Sequence, residues 1–169
     1  MELRFKKIPT KFKEVCIIEP RVFEDYRGSF KETFRKNEFV ELGIDVEFVQ
    51  EDIAWSYKNV LRGMHYDYSM DQLVQVVYGR TYHVIVDMNE NSPTYKQWQH
   101  FILSSDNHRQ LFIPKGFANG YLVLSDQVWL HYKQSAYYNP ATGKGLKWND
   151  PSVGIKWPIP NPVLSDQDS

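Results

Sequence analysis

An all-β sandwich or barrel is the fold class this chain predicts, and three observations point to it. From about residue 45 to about residue 138, short runs rich in β-branched and aromatic residues follow one another. Gly, Pro or Ser/Asn/Asp turns separate them at intervals of about ten residues, the spacing of antiparallel strands and not of βαβ units. Only one short segment is compatible with a helix.

Taken in order, 73–77, 81–87 and 98–103 are strands, and Tyr78-Gly79-Arg80 predicts a tight hairpin between the first two. Strands over 110–114, 120–124 and 128–133 continue the pattern, broken by Pro114-Lys115-Gly116 and Ser125-Asp126-Gln127. A helix is predicted over 37–42, with Asn37 as N-cap, Phe39 and Leu42 on one face, and Gly43 as the stop. Beyond Asn139 the chain is rich in Pro, Gly and Trp (Asn139-Pro140, Trp148-Asn149-Asp150-Pro151, Trp157-Pro158), which predicts an ordered wrap without long elements. No repeat, low-complexity segment or linker interrupts it, so a single domain over 1–169 is expected.

Composition narrows the function classes. A chain of 169 residues can bury roughly 70% of its unfolded surface. With 42% apolar and 15% aromatic residues it has the makings of a packed core. A net charge of −1 and no long run of like charges exclude the footprint of a nucleic-acid binder or a basic membrane-seeking face. The lone cysteine, Cys16, excludes an internal disulfide and fits a reducing compartment. No apolar stretch approaches the ~18 residues of a membrane span, and Met-Glu-Leu-Arg-Phe-Lys-Lys lacks a signal peptide's apolar core. A soluble, cytoplasmic protein is expected.

The stretch Asn59-Val60-Leu61-Arg62-Gly63-Met64-His65-Tyr66 carries the strongest chemical signal. It sets a permanent cation, Arg62, three residues before a titratable ring, His65; arginine can hold a phosphate while histidine moves protons. His83 alternates with Ile85 and Asp87 and so shares their face. Both histidines also admit a structural reading as hydrogen-bonded core groups. No His-x-His pair accompanies them, so no metal site is expected. The chain lacks His-Glu-x-x-His, a Gly-rich phosphate loop and Gly-x-Ser-x-Gly, so nucleophilic hydrolysis has no support. Tyr132 by itself reads as mid-strand core, Arg27 as a turn residue in Asp25-Tyr26-Arg27-Gly28, and Asp168 as a terminal acid.

The ordered set of segments gives these residues a common context. It comprises Pro20-Arg21-Val22-Phe23-Glu24-Asp25-Tyr26-Arg27-Gly28, Phe48-Val49-Gln50, the Asn59 to His65 stretch, Ser92-Pro93-Thr94-Tyr95 and Arg109-Gln110-Leu111-Phe112-Ile113-Pro114. Gly116-Phe117, Tyr132-Lys133, Trp148-Asn149-Asp150-Pro151 and Leu164-Ser165-Asp166-Gln167-Asp168 complete it. In this order they resemble the nucleotide-sugar 3,5-epimerases, the RmlC-type cupins, over nearly the full length. The resemblance implies a cupin jelly-roll barrel with a few short helices, acting on a nucleoside-diphosphate 4-keto-6-deoxy sugar without metal or organic cofactor. It also implies a homodimer. The ketone acidifies the C–H bonds at C3 and C5, and inversion needs a base, an acid opposite it and a group to stabilise the enolate oxygen. By resemblance His65 is the base, Asp168 the carboxylate that orients it, and Tyr132 the acid on the other face. Arg27 and Arg62 match diphosphate-contacting positions, and Gln50 a polar position of the nucleotide-binding region.

Three substrate-facing positions depart from the family's pattern. Gln72 stands where a lysine is usual, His83 where an aspartate is usual, and Asn119 replaces the histidine of Gly-Phe-Ala-His-Gly. A neutral amide donates a hydrogen bond roughly half as strong as a charge-assisted one. An asparagine at the third position is similar to the branch acting on GDP-linked heptoses. The resemblance thus implies inversion at C3, C5 or both of a dTDP-hexose or GDP-heptose type of substrate. The competing expectations are a nucleotide-sugar 3,4-ketoisomerase and a non-catalytic sugar-nucleotide binding module.

Overall fold

Residues 3–169 are described by a computed structural model; Met1 and Glu2, part of the N-terminal stretch read above, lie outside it. The order of elements is β1 (Phe5–Pro9), β2 (Cys16–Pro20), β3 (Val22–Asp25), β4 (Gly28–Lys31), α1 (Lys36–Glu41), β5 (Gln50–Tyr57), β6 (Leu61–Tyr66) and β7 (Gln72–Tyr78). It continues with β8 (Arg80–Asp87), β9 (Trp98–Ser104), β10 (Gln110–Ile113), β11 (Phe117–Val123), β12 (Gln127–Gln134) and β13 (Lys144–Gly145). All six strands expected beyond residue 70 are present, with ends differing by a few residues. Four strands before residue 45 were not anticipated. Their apolar signal is weak: Lys6, Lys7, Glu24 and Ser29 face solvent, and the β3–β4 hairpin is exposed along most of its length.

Two antiparallel sheets face each other in a jelly roll, ordered β1-β2-β10-β7-β12-β5 and β13-β6-β11-β8-β9; β3 and β4 form a separate two-stranded sheet. Between the large sheets lie Val74, Val76, Ile85, Leu103, Leu111, Ile113, Val123 and Leu130, among others, all buried. Alternation of side chains supplies a second apolar layer on the outside of each sheet. Outside the six-stranded sheet, Cys16, Ile18, Leu73 and Phe112 pack against Phe39 and Ile44. Burial pushes the Cys16 thiol up to about 11. Outside the five-stranded sheet, Leu61, Met64, Val84 and Leu122 pack beneath Leu146, Trp148, Trp157, Ile159 and Leu164 of the C-terminal wrap.

Two local expectations are corrected. The helix starts one residue early, at Lys36, with Arg35 as an N-cap that makes no side-chain cap bond. Asn37 is therefore inside the helix. Phe34 packs on Phe39 with ring centroids 4.8 Å apart, a hydrophobic staple that sets the entry angle ahead of side-chain capping. The stop at Gly43 is as expected: its φ is +78°, its N–H donates to Val40 O at 2.9 Å, and Ile44 N–H donates to Phe39 O at 2.8 Å. Tyr78-Gly79-Arg80 is not a hairpin. β7 and β8 belong to different sheets, and the chain crosses between them at Gly79 (φ +87°), where a Cβ would lie 2.2 Å from Gln127 O. Local turn chemistry specifies a sharp reversal but not the partner of the strand that follows it.

β6 carries the irregularity that matters for the site. Along β11, Asn119 and Tyr121 are two residues apart; their partners on β6, His65 and Arg62, are three apart. The extra residue is a bulge centred on Gly63 (φ +121°). Strands β6 and β11 approach so closely there that a Cβ on Gly63 would lie 2.6 Å from Gly120 Cα and 2.8 Å from Asn119 O. Gly63→Ala is expected to cost at least about 2 kcal/mol of stability, since both the backbone angle and the backbone of β11 must give way. Urea unfolding of the variant checks this; stability within a few tenths of the parent value would refute the close approach.

Candidate active site

Cross-strand partners share a face, so the register shows which side chains point between the sheets. On β11, Phe117, Tyr121 and Val123 belong to the inner core, which places Asn119 inward as well. Asn119 pairs with His65 and Tyr121 pairs with Arg62, so His65 and Arg62 both face inward despite their odd spacing. On β12, Val128 and Leu130 are inner-core residues and Tyr132 continues their face, half-buried against the same cluster. Imidazole and phenol thus project from opposite sheets.

Asp168 reaches His65 from the far end of the chain. The wrap returns alongside the start of β6, where Leu61 N–H donates to Val163 O at 2.9 Å and Val163 N–H donates to Asn59 O at 2.8 Å. Five residues on, Asp168 Oδ1 lies 2.7 Å from His65 Nε2, and Oδ2 accepts the Gly63 N–H at 3.4 Å. The carboxylate is 6% exposed whereas the ring is 49% exposed, so a covered anion orients a ring open to a ligand. A carboxylate in this position fixes the orientation and tautomer of the ring.

Arg62 donates through Nε to Ser56 Oγ at 2.9 Å, and Ser56 Oγ lies 3.4 Å from the Tyr121 hydroxyl. Burial, first, and the neighbouring Asp52 and Tyr121 push the Tyr132 phenol up, with Arg62 acting the other way. The Tyr132 hydroxyl has no hydrogen-bond partner among the described residues and is held protonated.

The three departures from the family pattern meet in space. Asn119 Nδ2 donates to Gln72 Oε1 at 2.9 Å and lies 3.5 Å from His65 O. His83 is fully buried and stacks on Tyr121 at 5.9 Å between centroids and 14° between planes. Burial pulls its ring down from 6.5 to about 4; the Asn119 amide opposes this, though neither ring nitrogen has a hydrogen-bond partner in good geometry. His83 is therefore neutral at pH 7. Gln72 Nε2 donates to Gln134 Oε1 at 3.4 Å, Gln134 Nε2 to Asp52 Oδ2 at 2.7 Å, and Gln50 Nε2 to the same Oδ2 at 2.8 Å. Eight of the nine residues expected at the site are thereby brought together.

Arg27 stands apart. It sits at the turn of the β3–β4 hairpin with its guanidinium on Asp25, 2.5 Å away, and no bond joins it to the cluster. Four residues of the site escaped the sequence reading: Asp52, Ser56, Tyr121 and Gln134. Period-2 alternation could have found them, since Asp52 follows Gln50, Gln134 follows Tyr132, and Tyr121 follows Asn119 by two on their strands. No group of three His, Cys, Asp or Glu side chains able to hold a metal occurs among the described residues. Nor is any helix among them long and apolar enough to cross a membrane.

A jelly roll with a His–Asp pair on the inner face of one sheet and a tyrosine on that of the other is a cupin-type fold. Residues 9–169 match the family model of dTDP-4-dehydrorhamnose 3,5-epimerase. The chain is 45% identical over 165 residues to the Shigella flexneri dTDP-4-dehydrorhamnose 3,5-epimerase, covering 95% of this chain and 91% of that one. It superposes with a TM-score of 0.94 and 42% identity on the Bacillus anthracis dTDP-4-dehydrorhamnose 3,5-epimerase with TDP and pyrophosphate bound, over 97% and 96% of the two chains. With the Legionella pneumophila 3,5-epimerase RmlC in complex with dTDP-4-keto-L-rhamnose the TM-score is 0.93 at 42% identity, over 97% and 89%. The chain belongs to the dTDP-4-dehydrorhamnose 3,5-epimerase family.

His83 has a measurable signature. Its folded value lies below its unfolded one, so the unfolded chain takes up the proton first as pH falls. Stability is expected to fall between pH 6.5 and about 4, by up to about 3 kcal/mol from this residue, and to lose no more through it below that range. Urea unfolding across this window should show a shallower pH slope in His83→Phe, which keeps the stack on Tyr121. An equal slope would mean that His83 is not buried neutral.

Proposed function

We propose that this chain, as one domain, is an isomerase that inverts C3, C5 or both of a nucleoside-diphosphate 4-keto-6-deoxy sugar. The observation that carries the reading is the His65–Asp168 pair on one sheet and Tyr132 on the inner face of the other. His65 takes the proton α to the ketone, the electron pair moves onto the carbonyl oxygen, and Tyr132 returns a proton to the opposite face. Asp168 steadies the imidazolium. No redox step is involved, and the chemistry calls for no cofactor. Arg62, a fixed cation at the rim, suits a diphosphate oxygen, and Arg27 would join it only where the β3–β4 hairpin reaches a substrate. Gln50, Gln72, His83 and Asn119 supply the neighbouring polar groups. The named relatives act on or bind dTDP-linked 4-keto sugars, which makes a dTDP-linked substrate the first to test. A lone buried cysteine suits the cytoplasm.

The outer face of edge strand β5 exposes Ile53, Trp55 and Tyr57 beside Trp129 of β12. Such a patch on an unpaired edge supports the homodimer reading. Sedimentation should give twice the chain mass, and Trp55→Glu should shift it toward the monomer; a monomeric parent protein would end that reading.

The purified protein should wash solvent deuterium into C3, C5 or both of a dTDP-linked 4-keto-6-deoxy sugar, read by NMR or mass spectrometry. No exchange with dTDP-, GDP- or CDP-linked substrates would overturn the epimerase reading. His65→Asn is expected to lower exchange by at least about a hundredfold, the usual contribution of a general base. Gln72→Lys should change the rate or the C3:C5 ratio, because it puts a charged donor where a neutral amide stands.

A further inference from the structure

Asp52 lies on β5 directly opposite Tyr132 of β12, and Gln134 of β12 lies opposite both Gln50 of β5 and Gln72 of β7. Two adjacent rows thus cross three strands, one reading Gln50, Gln134, Gln72 and the other Asp52, Tyr132, Val74. The hydrogen bonds along them have one possible direction. A backbone N–H can only donate, so the Tyr138 N–H, 2.9 Å from Gln50 Oε1, turns Gln50 Nε2 toward Asp52. A carboxylate can only accept, so Gln134 also turns its Nε2 to Asp52 and leaves its Oε1 to Gln72. Gln72 then donates to Gln134 and accepts from Asn119. Remove the acceptor at position 52 and Gln134 loses the group that fixes which of its ends turns to Gln72.

We propose that Asp52 is a positioning residue of the active site: one carboxylate oxygen sets the polarity of the Gln134–Gln72–Asn119 amide chain, and its charge faces the Tyr132 phenol from the adjacent strand. The inference rests on the epimerase reading for its catalytic consequence but not for its geometry. The groups that face Tyr132 are few. β5 contributes Asp52, β11 the Tyr121 phenol, β6 Arg62 and, farther along the same face, His65 with its Asp168; β7 contributes apolar Val74. Arg62 pulls the phenol toward ionisation, while Asp52 opposes it. Without Asp52 the guanidinium acts unopposed, and the acid loses its proton at lower pH. The amide chain meanwhile loses the group that decides which end of Gln72 faces the substrate. Asp52 therefore keeps both the proton donor and the enolate-facing amide in the state the reaction uses.

The test is Asp52→Asn, with Asp52→Glu as the charge-keeping control and Asp52→Ser in place of the first should thermal unfolding show that it does not fold. Tyrosine labelled with 13C at Cζ, with the Tyr132 signal assigned through Tyr132→Phe, reports the phenol's titration without any turnover. The expected result is a lower midpoint in Asp52→Asn and one near the parent value in Asp52→Glu. In deuterium exchange, the alkaline limb of the pH profile should move to lower pH, and the rate at neutral pH should fall roughly tenfold with KM within about twofold. An unmoved midpoint in folded Asp52→Asn would overturn the inference even if the enzyme is an epimerase. A moved midpoint in a protein that exchanges no deuterium would uphold the placement of Asp52 and remove the epimerase reading instead.

Discussion

The bulge at Gly63 is the constraint on which the rest of the site depends. In a regular strand, residues three apart point to opposite faces. Arg62 and His65 would then be divided, one between the sheets and one under the C-terminal wrap. The extra residue lets Leu61 and Met64 both enter the outer apolar layer while Arg62 and His65 both turn inward. Glycine is required twice. Gly63 adopts a positive φ, and neither it nor Gly120 has room for a Cβ, because each would meet the backbone of the other strand at under 3 Å. A local backbone irregularity thereby sets Arg62 and His65 on one face.

The second dependence is on the tail. Asp168 is a carboxylate beyond β13, in a wrap without long elements. Here Trp148, Ile155, Trp157, Ile159 and Leu164 pack on the outer layer of the five-stranded sheet, and Trp157 Nε1 donates to Trp148 O at 2.7 Å. Val163 is bonded beside β6 through its N–H and its C=O. The apolar burial of the wrap thus holds against His65 a carboxylate that no neighbouring strand supplies.

The polar floor of the site differs in kind from the lysine, aspartate and histidine that the family resemblance leads one to expect. It is a chain of neutral amides, Asn119, Gln72 and Gln134, ending on Asp52, with neutral His83 buried beside it. Exchanging charged groups for amides weakens each individual bond but removes the cost of burying unpaired charge. Two of the replaced positions, Asn119 and Gln72, are hydrogen-bonded to each other, and the third, His83, stacks on Tyr121.

Much of this was legible beforehand. The period-2 runs placed six strands and put His83 on the face of Ile85, because a buried sheet face leaves its alternation in the sequence. His65, Tyr132 and Asp168 were legible as a set only through resemblance; singly, each had an ordinary structural explanation. Asp52 and Gln134 were missed although each lies two residues from a recognised position, because a polar residue on a strand does not show which face is buried. The helix start shifted because Phe34 and Phe39 pack together, a contact stronger than the capping preference of Asn37.

The sequence by itself determined the all-β class, the turns, the stop at Gly43 and the residue types that can move protons, since all of these follow from short-range sterics and alternation. Only the tertiary structure decided which strands share a sheet, that Tyr78-Gly79-Arg80 is a crossing and not a hairpin, and that Arg62 and His65 share a face. It alone shows that Asp168 meets His65 across 103 positions of chain and that Gln50 and Gln134 both donate to Asp52. Those outcomes depend on pairings between segments distant in the chain, and no local preference encodes a partner's identity.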